Sequence, residues 1–373
     1  MYRVLESGPD HISFEPLPDP EAEDYYEQLA DRACLVYVTD EETGWSRRRA
    51  GKGYTYRDKK GHRIDDASIR ERLNALAIPP AWTDVWLCPD PRGHIQATGR
   101  DAKGRKQYRY HPEWMEQQSR LKFETLPMFG TTLPTLRQRV DQDLRRHGMP
   151  KDKAIALVVW LLDNTMIRIG NVRYAKKNRS FGLTTLKKRH LDLGHSRIRF
   201  TFTGKSGKDW DLSLTDRRIA RVIRSISELP GQHLFKYQGD DSKRHPVRSH
   251  DVNDYIRETL EEDFSAKDFR TWTATVLAAD ALQGIDLPET KRQQAMVLNS
   301  AIDEVASVLG NTRTVCRSQY IHPTVIDAWH ENQLCEQLAA IDAQDEEWLD
   351  GGEVRLLNWF AQQADCTVKA KAA

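Results

Sequence analysis

The stretch Leu309-Gly310-Asn311-Thr312-Arg313-Thr314-Val315-Cys316-Arg317-Ser318-Gln319-Tyr320-Ile321-His322-Pro323 lies near the end of a 373-residue chain. A helical pattern from Pro288 to Leu309 runs into it, a Gly-Asn turn breaks that pattern, and Pro323 can open the next helix. A tyrosine between two helices is ordinarily packing or surface. Three earlier segments change its reading: Met166-Ile167-Arg168-Ile169-Gly170, Thr203-Gly204-Lys205-Ser206-Gly207-Lys208 and Lys267-Asp268-Phe269-Arg270-Thr271. Two arginines, a glycine-flanked lysine and a tyrosine suit one reaction, displacement at a phosphodiester. Tyrosine attacks phosphorus and negative charge builds on the non-bridging oxygens. Arginine forks meet that charge bidentately and stay protonated at working pH. The departing ribose oxygen needs a proton, which a lysine can supply. Fixed cations of this kind do what magnesium does in other phosphoryl-transfer sites, so no metal is expected.

Composition narrows the alternatives. Hydrophobic residues make up 39% and charged residues 30%, as in a polar soluble protein. No apolar run approaches the roughly 18 residues of a membrane span, and the start lacks the basic-then-apolar layout of a signal peptide. A cytoplasmic location is expected. Cys34, Cys88, Cys316, Cys335 and Cys366 are scattered, with no Cys-x-x-Cys, and read as reduced thiols instead of a disulfide frame or zinc site. No G-x-x-x-x-G-K-[ST] loop is present, so no nucleotide cofactor is expected. The net charge of +1 conceals a strong segregation. Residues 1–42 carry −10 and residues 327–366 carry −9, which leaves +18 on residues 43–326. A basic body between acidic ends is the footprint of a polyanion binder.

Taken in order, residues 1–28 are acidic and punctuated by Pro9, Pro16, Pro18 and Pro20, and read as a loosely docked arm. Cys34–Val38 is strand-like, Ser46–Gly53 reads as a basic glycine-bearing loop, and Tyr54–Arg57 alternates as a strand would. A short helix (Ala67–Leu76) and two strands (Trp82–Cys88 and His94–Thr98) complete a small antiparallel sheet. Gln96 to Tyr108 carries Arg100, Lys103 and Arg105 and reads as an exposed basic linker, which sets a domain boundary near residue 108: 1–108, then 109–373. Helical patterns follow at His111–Phe123, Leu133–His147 and Lys151–Ile169, the last with the buried-type run Ala154–Leu162 and Arg168 at its end. Arg173 and Tyr174 come next as candidate phosphate contacts. Leu191–Leu193, Arg197–Phe202 and Trp210–Leu214 alternate with period two and predict a meander, with Lys205 and Lys208 at the tip of its second hairpin. Helices are predicted from Thr215 to Ile226, from Ser249 to about Glu262 and from Ala266 to Gln283. The last places Lys267 and Arg270 one turn apart on one face. Thr324–Ile341 and Glu353–Ala364 are acidic outside and apolar inside.

In order, spacing and wording, Ile-Arg168-Ile-Gly, Gly-Leu183-Thr-Thr-Leu-Lys187, Gly-Lys205, Lys267-Asp-Phe-Arg270-Thr and Tyr320-Ile-His-Pro resemble the small type IB DNA topoisomerases of poxviruses and bacteria. The resemblance runs from about Val36 to Pro323. It implies an α+β chain: a small antiparallel β-sheet N-terminal domain, and a mainly α catalytic domain with a three-stranded sheet, the two forming a clamp around duplex DNA. It also implies relaxation of supercoiled DNA, without metal or nucleotide, by a nucleoid-associated monomer. Under the resemblance Tyr320 forms a 3′-phosphotyrosyl bond, Arg168 and Arg270 hold the phosphate oxygens, and Lys205 protonates the leaving 5′-oxygen, with Lys208 as a rival within the hairpin. Arg100, Lys103, Arg105, Arg173, Tyr174 and Lys267 become DNA contacts. Poxvirus-type members place histidine nine residues before the tyrosine, where this chain has Asn311, which can donate a hydrogen bond but adds no charge. Tyrosine recombinases share the catalytic layout and are the alternative. They carry His-x-x-Arg where this chain has Lys267-Asp-Phe-Arg270.

Overall fold

A computed structural model of the chain describes residues 2–7, 11–16, 25–51, 53–239, 241 and 243–372, with the side chains of residues 2–25, 173, 174, 177 and 365–372 outside the description. The chain divides into two compact units, Met1–Glu124 and Thr125–Ala373.

In the first unit the backbone opens as an antiparallel hairpin, β1 (Tyr2–Ser7) with β2 (His11–Pro16), within the segment whose composition reads as a loosely docked arm. Helix α1 (Tyr25–Arg32) follows. A five-stranded antiparallel sheet is built from β3 (Trp45–Ala50), β4 (Gly53–Arg57), β5 (Thr83–Leu87), β6 (Ile95–Arg100) and β7 (Lys106–Tyr110), in the order β4-β3-β5-β6-β7. Helix α2 (Ala67–Ala75), capped by Asp66, buries Leu73 in a core with Tyr56, Ile64, Leu87 and Ala97. The basic run Ser46–Arg49 is therefore a strand and not a loop; Lys52 at its turn lies outside the described residues. Arg47 explains the difference. Its guanidinium donates to Ile78 O (2.8 Å), Pro79 O (3.0 Å) and Trp82 O (2.9 Å) and lies over the Tyr54 ring, so a charged side chain serves the interior. The Gln96–Tyr108 segment is likewise the β6–β7 hairpin and not a linker. The unit closes with α3 (Pro112–Glu124), whose Trp114 packs on Leu29, Ala30 and Leu35, so the division falls later than residue 108.

The second unit is mainly helical. Helix α4 (Leu126–Leu144) packs on α5 (Lys151–Thr165), in which every residue from Ala154 to Val159 is buried. After α6 (Val172–Asn178) come β8 (Leu191–Leu193), β9 (Arg197–Thr203) and β10 (Asp209–Thr215), the expected meander in the order β10-β9-β8. Helix α7 (Arg217–Glu228) is capped by Asp216, one residue beyond the expected Thr215. A further hairpin, β11 (Lys236–Gln238) with β12 (Arg244–Pro246), precedes α8 (Ser249–Leu260), α9 (Asp268–Leu282), α10 (Lys291–Leu309) and α11 (Arg313–Gln319). The predicted helix after Tyr320 is two pieces, α12 (Pro323–His330) and α13 (Leu334–Ala339), because Asn332 adopts φ 58° between them. Helix α14 (Gly351–Ala372) ends the chain.

One buried ionic knot fixes the frame around α9. Arg137 of α4 donates to Asp163 of α5 (2.8 Å) and to Glu353 of α14 (2.6 Å), and Glu353 also accepts from Trp272 Nε1 of α9 (2.9 Å). Trp272, Phe129 and Phe269 fill the space beneath it, all almost wholly buried.

Candidate active site

Arg270 leaves the first turn of α9 and is 3% exposed. Its Nη1 donates to Met166 O at the end of α5, and its Nη2 donates to Leu309 O at the end of α10 at 2.6 Å. One guanidinium thus ties three helix ends together. The unpaired carbonyls at a helix C-terminus are natural acceptors for a cation.

Arg168 is placed by a sharper device than a helix end. Helix α5 stops at Thr165, because Met166 turns left-handed (φ 56°), and residues 167–170 run on outside any helix or strand. Arg168 O accepts from Leu183 N at 2.9 Å and Ile169 O from Thr184 N at 2.8 Å. A Cβ at Gly182 would meet Arg168 O at 2.4 Å, so glycine is required for this pairing. The Arg168 side chain, half-buried, donates through Nη2 to Asn311 Oδ1. Asn311 itself follows Gly310, which caps α10 at φ 63° with Trp210 packed against it; a Cβ there would lie 2.7 Å from the indole.

Tyr320 caps the C-terminus of α11, with its N–H donating to Cys316 O at 3.0 Å. The Arg270 guanidinium carbon is 5.1 Å from the centre of its ring. Burial alone would push the phenol's pKa up. The charges and hydrogen bonds of Arg270, then of Arg168, outweigh burial and bring it below its ordinary value. Burial followed by the Arg168 charge lowers Arg270 to about 10, which leaves it protonated at neutral pH. Neither arginine has a carboxylate ion-pair partner among the described residues. Arg270 Nε and Asn311 Nδ2 are buried donors with no acceptor there. Two cations and two unpaired donors beside a phenol are the groups that an anion would need. Cys316, wholly buried beneath, has its thiol pushed to about 11 by burial and stays protonated, so it does not compete as a nucleophile.

Thr275, which the sequence did not single out, holds the tyrosine's backbone. Its buried Oγ1 accepts from His322 N at 3.1 Å and donates to Thr271 O at 2.8 Å, with Tyr320 O at 3.3 Å. Helix α9 therefore carries both Arg270 and the anchor of the residue that Arg270 faces.

The other candidates are more scattered. Lys205 lies in the exposed 3-10 turn Lys205–Gly207 that joins β9 to β10, and Lys208 is exposed beside it. Trp210 stacks on Phe202 with ring centres 5.9 Å apart and packs on Gly310, so the hairpin's base stands next to Asn311. Among the described residues no hydrogen bond joins Lys205 to Arg168 or Arg270. Lys267, at the N-cap of α9, lies one turn before Arg270, whose N–H donates to Lys267 O at 3.2 Å; Lys267 is exposed and Arg270 is buried. In the first unit, Asp101 Oδ1 accepts from the backbone N–H of Lys103 and of Arg105, both at 2.9 Å, and the Arg105 side chain pairs with the same carboxylate. Arg100 reaches Gly104 O at 3.3 Å. Arg173 and Tyr174 fall on α6, with side chains outside the described residues.

A tyrosine flanked by two buried or half-buried arginines, on an α+β frame with a lysine-tipped hairpin, fits the class of tyrosine-dependent phosphodiester transferases. Comparison places the chain within it. Residues 106–346 match the family described as eukaryotic DNA topoisomerase I, catalytic core, and residues 53–101 match the bacterial DNA topoisomerase IB N-terminal domain. DNA topoisomerase 1B of Acanthamoeba polyphaga mimivirus is 31% identical over 269 residues, covering 70% of this chain and 80% of that protein. DNA topoisomerase 1B of vaccinia virus (strain Copenhagen) is 22% identical over 278 residues, covering 70% and 82%. The chain belongs to the type IB DNA topoisomerase family.

Proposed function

We propose that this protein relaxes supercoiled duplex DNA by cutting and resealing one strand through Tyr320. The observation that carries the reading is the phenol's environment: a half-buried tyrosine with the Arg270 guanidinium 5.1 Å from its ring centre, and a pKa brought down by Arg270 and Arg168. The same two cations suit the charge that develops on a phosphate under attack. Tyr320 Oη bonds to phosphorus, the ribose 5′-oxygen leaves, and a 3′-phosphotyrosyl link remains. Arg168 and Arg270 take the non-bridging oxygens, and Arg270 Nε and Asn311 Nδ2 supply the further donors. Lys205, on its hairpin, protonates the leaving oxygen once DNA draws the tip inward. Rotation of the cut strand relaxes the duplex. The 5′-hydroxyl then attacks the link and restores the strand. Because the link keeps the energy of the broken bond, no nucleotide is consumed. Nucleophile and cations come from a single chain, which supports action as a monomer, and DNA as partner supports a place on the nucleoid.

Tyrosine recombination would use the same first step, but the family match and the named relatives favour relaxation. The test is plasmid relaxation by the purified protein in EDTA without ATP, scored beside Tyr320→Phe. No relaxation by the parent, or strand exchange between two duplexes, would overturn the proposal.

A further inference from the structure

A second group of cations lies outside the Tyr320 cluster. Lys187, Lys188 and Arg189 follow Leu186 and lead into a short 3-10 turn, Lys188–His190. The backbone there is zipped to the loop before β11. Lys188 N donates to Gln232 O at 3.1 Å, Leu234 N donates to Leu186 O at 2.9 Å, and Lys187 bridges to His233. Lys236 lies beneath this junction, 4% exposed, with Nζ donating to His233 O at 2.7 Å and to Gly231 O at 3.4 Å. Two carbonyls orient the ammonium but bring no counter-charge. The charged groups that act on it are cations, Lys188 and Arg244 of β12. His233 in turn feels Lys187 and Lys236. Burial first, then the Lys188 charge, brings Lys236 down to about 8. A buried cation is ordinarily matched by an anion, and among the described residues none forms an ion pair with Lys187, Lys188, Lys236 or Arg244.

We propose that Lys188 and Lys236, flanked by Lys187 and Arg244, form a seat for one backbone phosphate of the bound duplex, separate from the phosphate attacked by Tyr320. The proposal rests on the DNA reading above. Two of the three Lys236 N–H groups serve the carbonyls, which leaves the third, with the Lys188 ammonium, for a phosphate oxygen. Anion binding favours the charged lysine, so above about pH 8 the seat fills only as Lys236 takes up a proton. Duplex affinity should therefore weaken as pH rises through this range.

The test uses the full chain carrying Tyr320→Phe, so that the DNA stays intact, and measures duplex affinity against salt and pH. Adding Lys188→Gln or Lys236→Met should lower the slope of log affinity against log salt by about 0.9, the value for one phosphate. Lys236→Met should also remove the loss of affinity between about pH 8 and 9.5. Lys188 is half-buried, so its variant decides the matter if Lys236→Met does not fold. An unchanged slope in folded Lys188→Gln overturns the seat and leaves the DNA reading standing. Failure of the Tyr320→Phe protein itself to bind duplex overturns both. A saturable response of Lys236 to inorganic phosphate at matched ionic strength, with no change in the DNA slope, assigns the seat to free phosphate and overturns the proposal as stated.

Discussion

Thr275→Val isolates the anchor of the nucleophile. The two side chains have nearly the same shape, so a wholly buried position keeps its packing and loses only a hydroxyl. The hydroxyl accepts from His322 N at 3.1 Å, and its single proton is shared between Thr271 O at 2.8 Å and Tyr320 O at 3.3 Å. Valine leaves the His322 N–H without its acceptor, a loss of about 1–3 kcal/mol for a buried donor. In a chain of this size the melting temperature should fall by roughly 1–4 °C. The chemical consequence should be larger than the thermal one. Tyr320 would keep its N–H bond to Cys316 but lose the tie to α9, the helix that carries Arg270. A displacement near 1 Å between reacting groups costs on the order of 10²-fold. Single-turnover formation of the covalent adduct on a suicide duplex should therefore slow by roughly 10- to 100-fold. Duplex affinity, made mostly of scattered phosphate contacts, should stay within a few-fold. Thr275→Ser returns the hydroxyl and should recover most of the rate. Cleavage by Thr275→Val within about twofold of the parent, at a temperature where both are folded, would refute the anchoring argument.

Tyr320→Phe should bind duplex, relax nothing and form no adduct; residual relaxation by the purified variant would remove Tyr320 from its role. Arg168→Ala and Arg270→Ala should each slow cleavage by on the order of 10² or more, with a much smaller loss of affinity; equal losses would mark them as plain phosphate anchors. Arg168→Ala also removes a cation that lowers the Tyr320 pKa, so its rate should rise at higher pH than the parent's, and an unmoved profile would contradict that. Lys205→Ala should be slow on ordinary DNA and near parental on a duplex with sulfur at the 5′-bridging position, since a thiolate leaves unprotonated. Rescue of Lys208→Ala instead would move the acid within the hairpin, and rescue of neither would take it off the hairpin.

Residue identity picks out Tyr320, Arg168 and Arg270, which the structure brings together, while their supports are hidden in backbone geometry. Tyr320, Arg168, Arg270 and the lysine-bearing hairpin could be read because few reactions want that set, and the β8–β10 meander because its apolar residues alternate. Arg47 hid a strand: three consecutive arginines look solvated, yet one turns inward to three carbonyls. The sequence pattern carries helix α5 four residues past its end because Met166, not a glycine, adopts the left-handed turn that stops it. Asn332 broke the helix after Tyr320 in the same way. Thr275 and Lys236 were invisible for another reason. A threonine within a helix and a lysine on a short strand gain meaning only from what lies across from them.

The electrostatics of Arg270 explain why so much of the fold converges on one side chain. A guanidinium 97% out of water, beside a second cation and with no carboxylate partner among the described residues, is unfavourable, and its fall to about 10 corresponds to roughly 3 kcal/mol. Two carbonyls, Met166 O and Leu309 O, offset part of this, and each is a helix end that exists only because of a left-handed cap, at Met166 and at Gly310. A carboxylate would offset it better but would occupy the place of the phosphate. Holding the cation with dipoles leaves its charge uncancelled, so an incoming phosphate meets a site that has no ion pair to break. The left-handed caps, the glycine at 182 and the buried knot at Arg137 are then parts of one arrangement. They keep charge buried and unspent until DNA arrives.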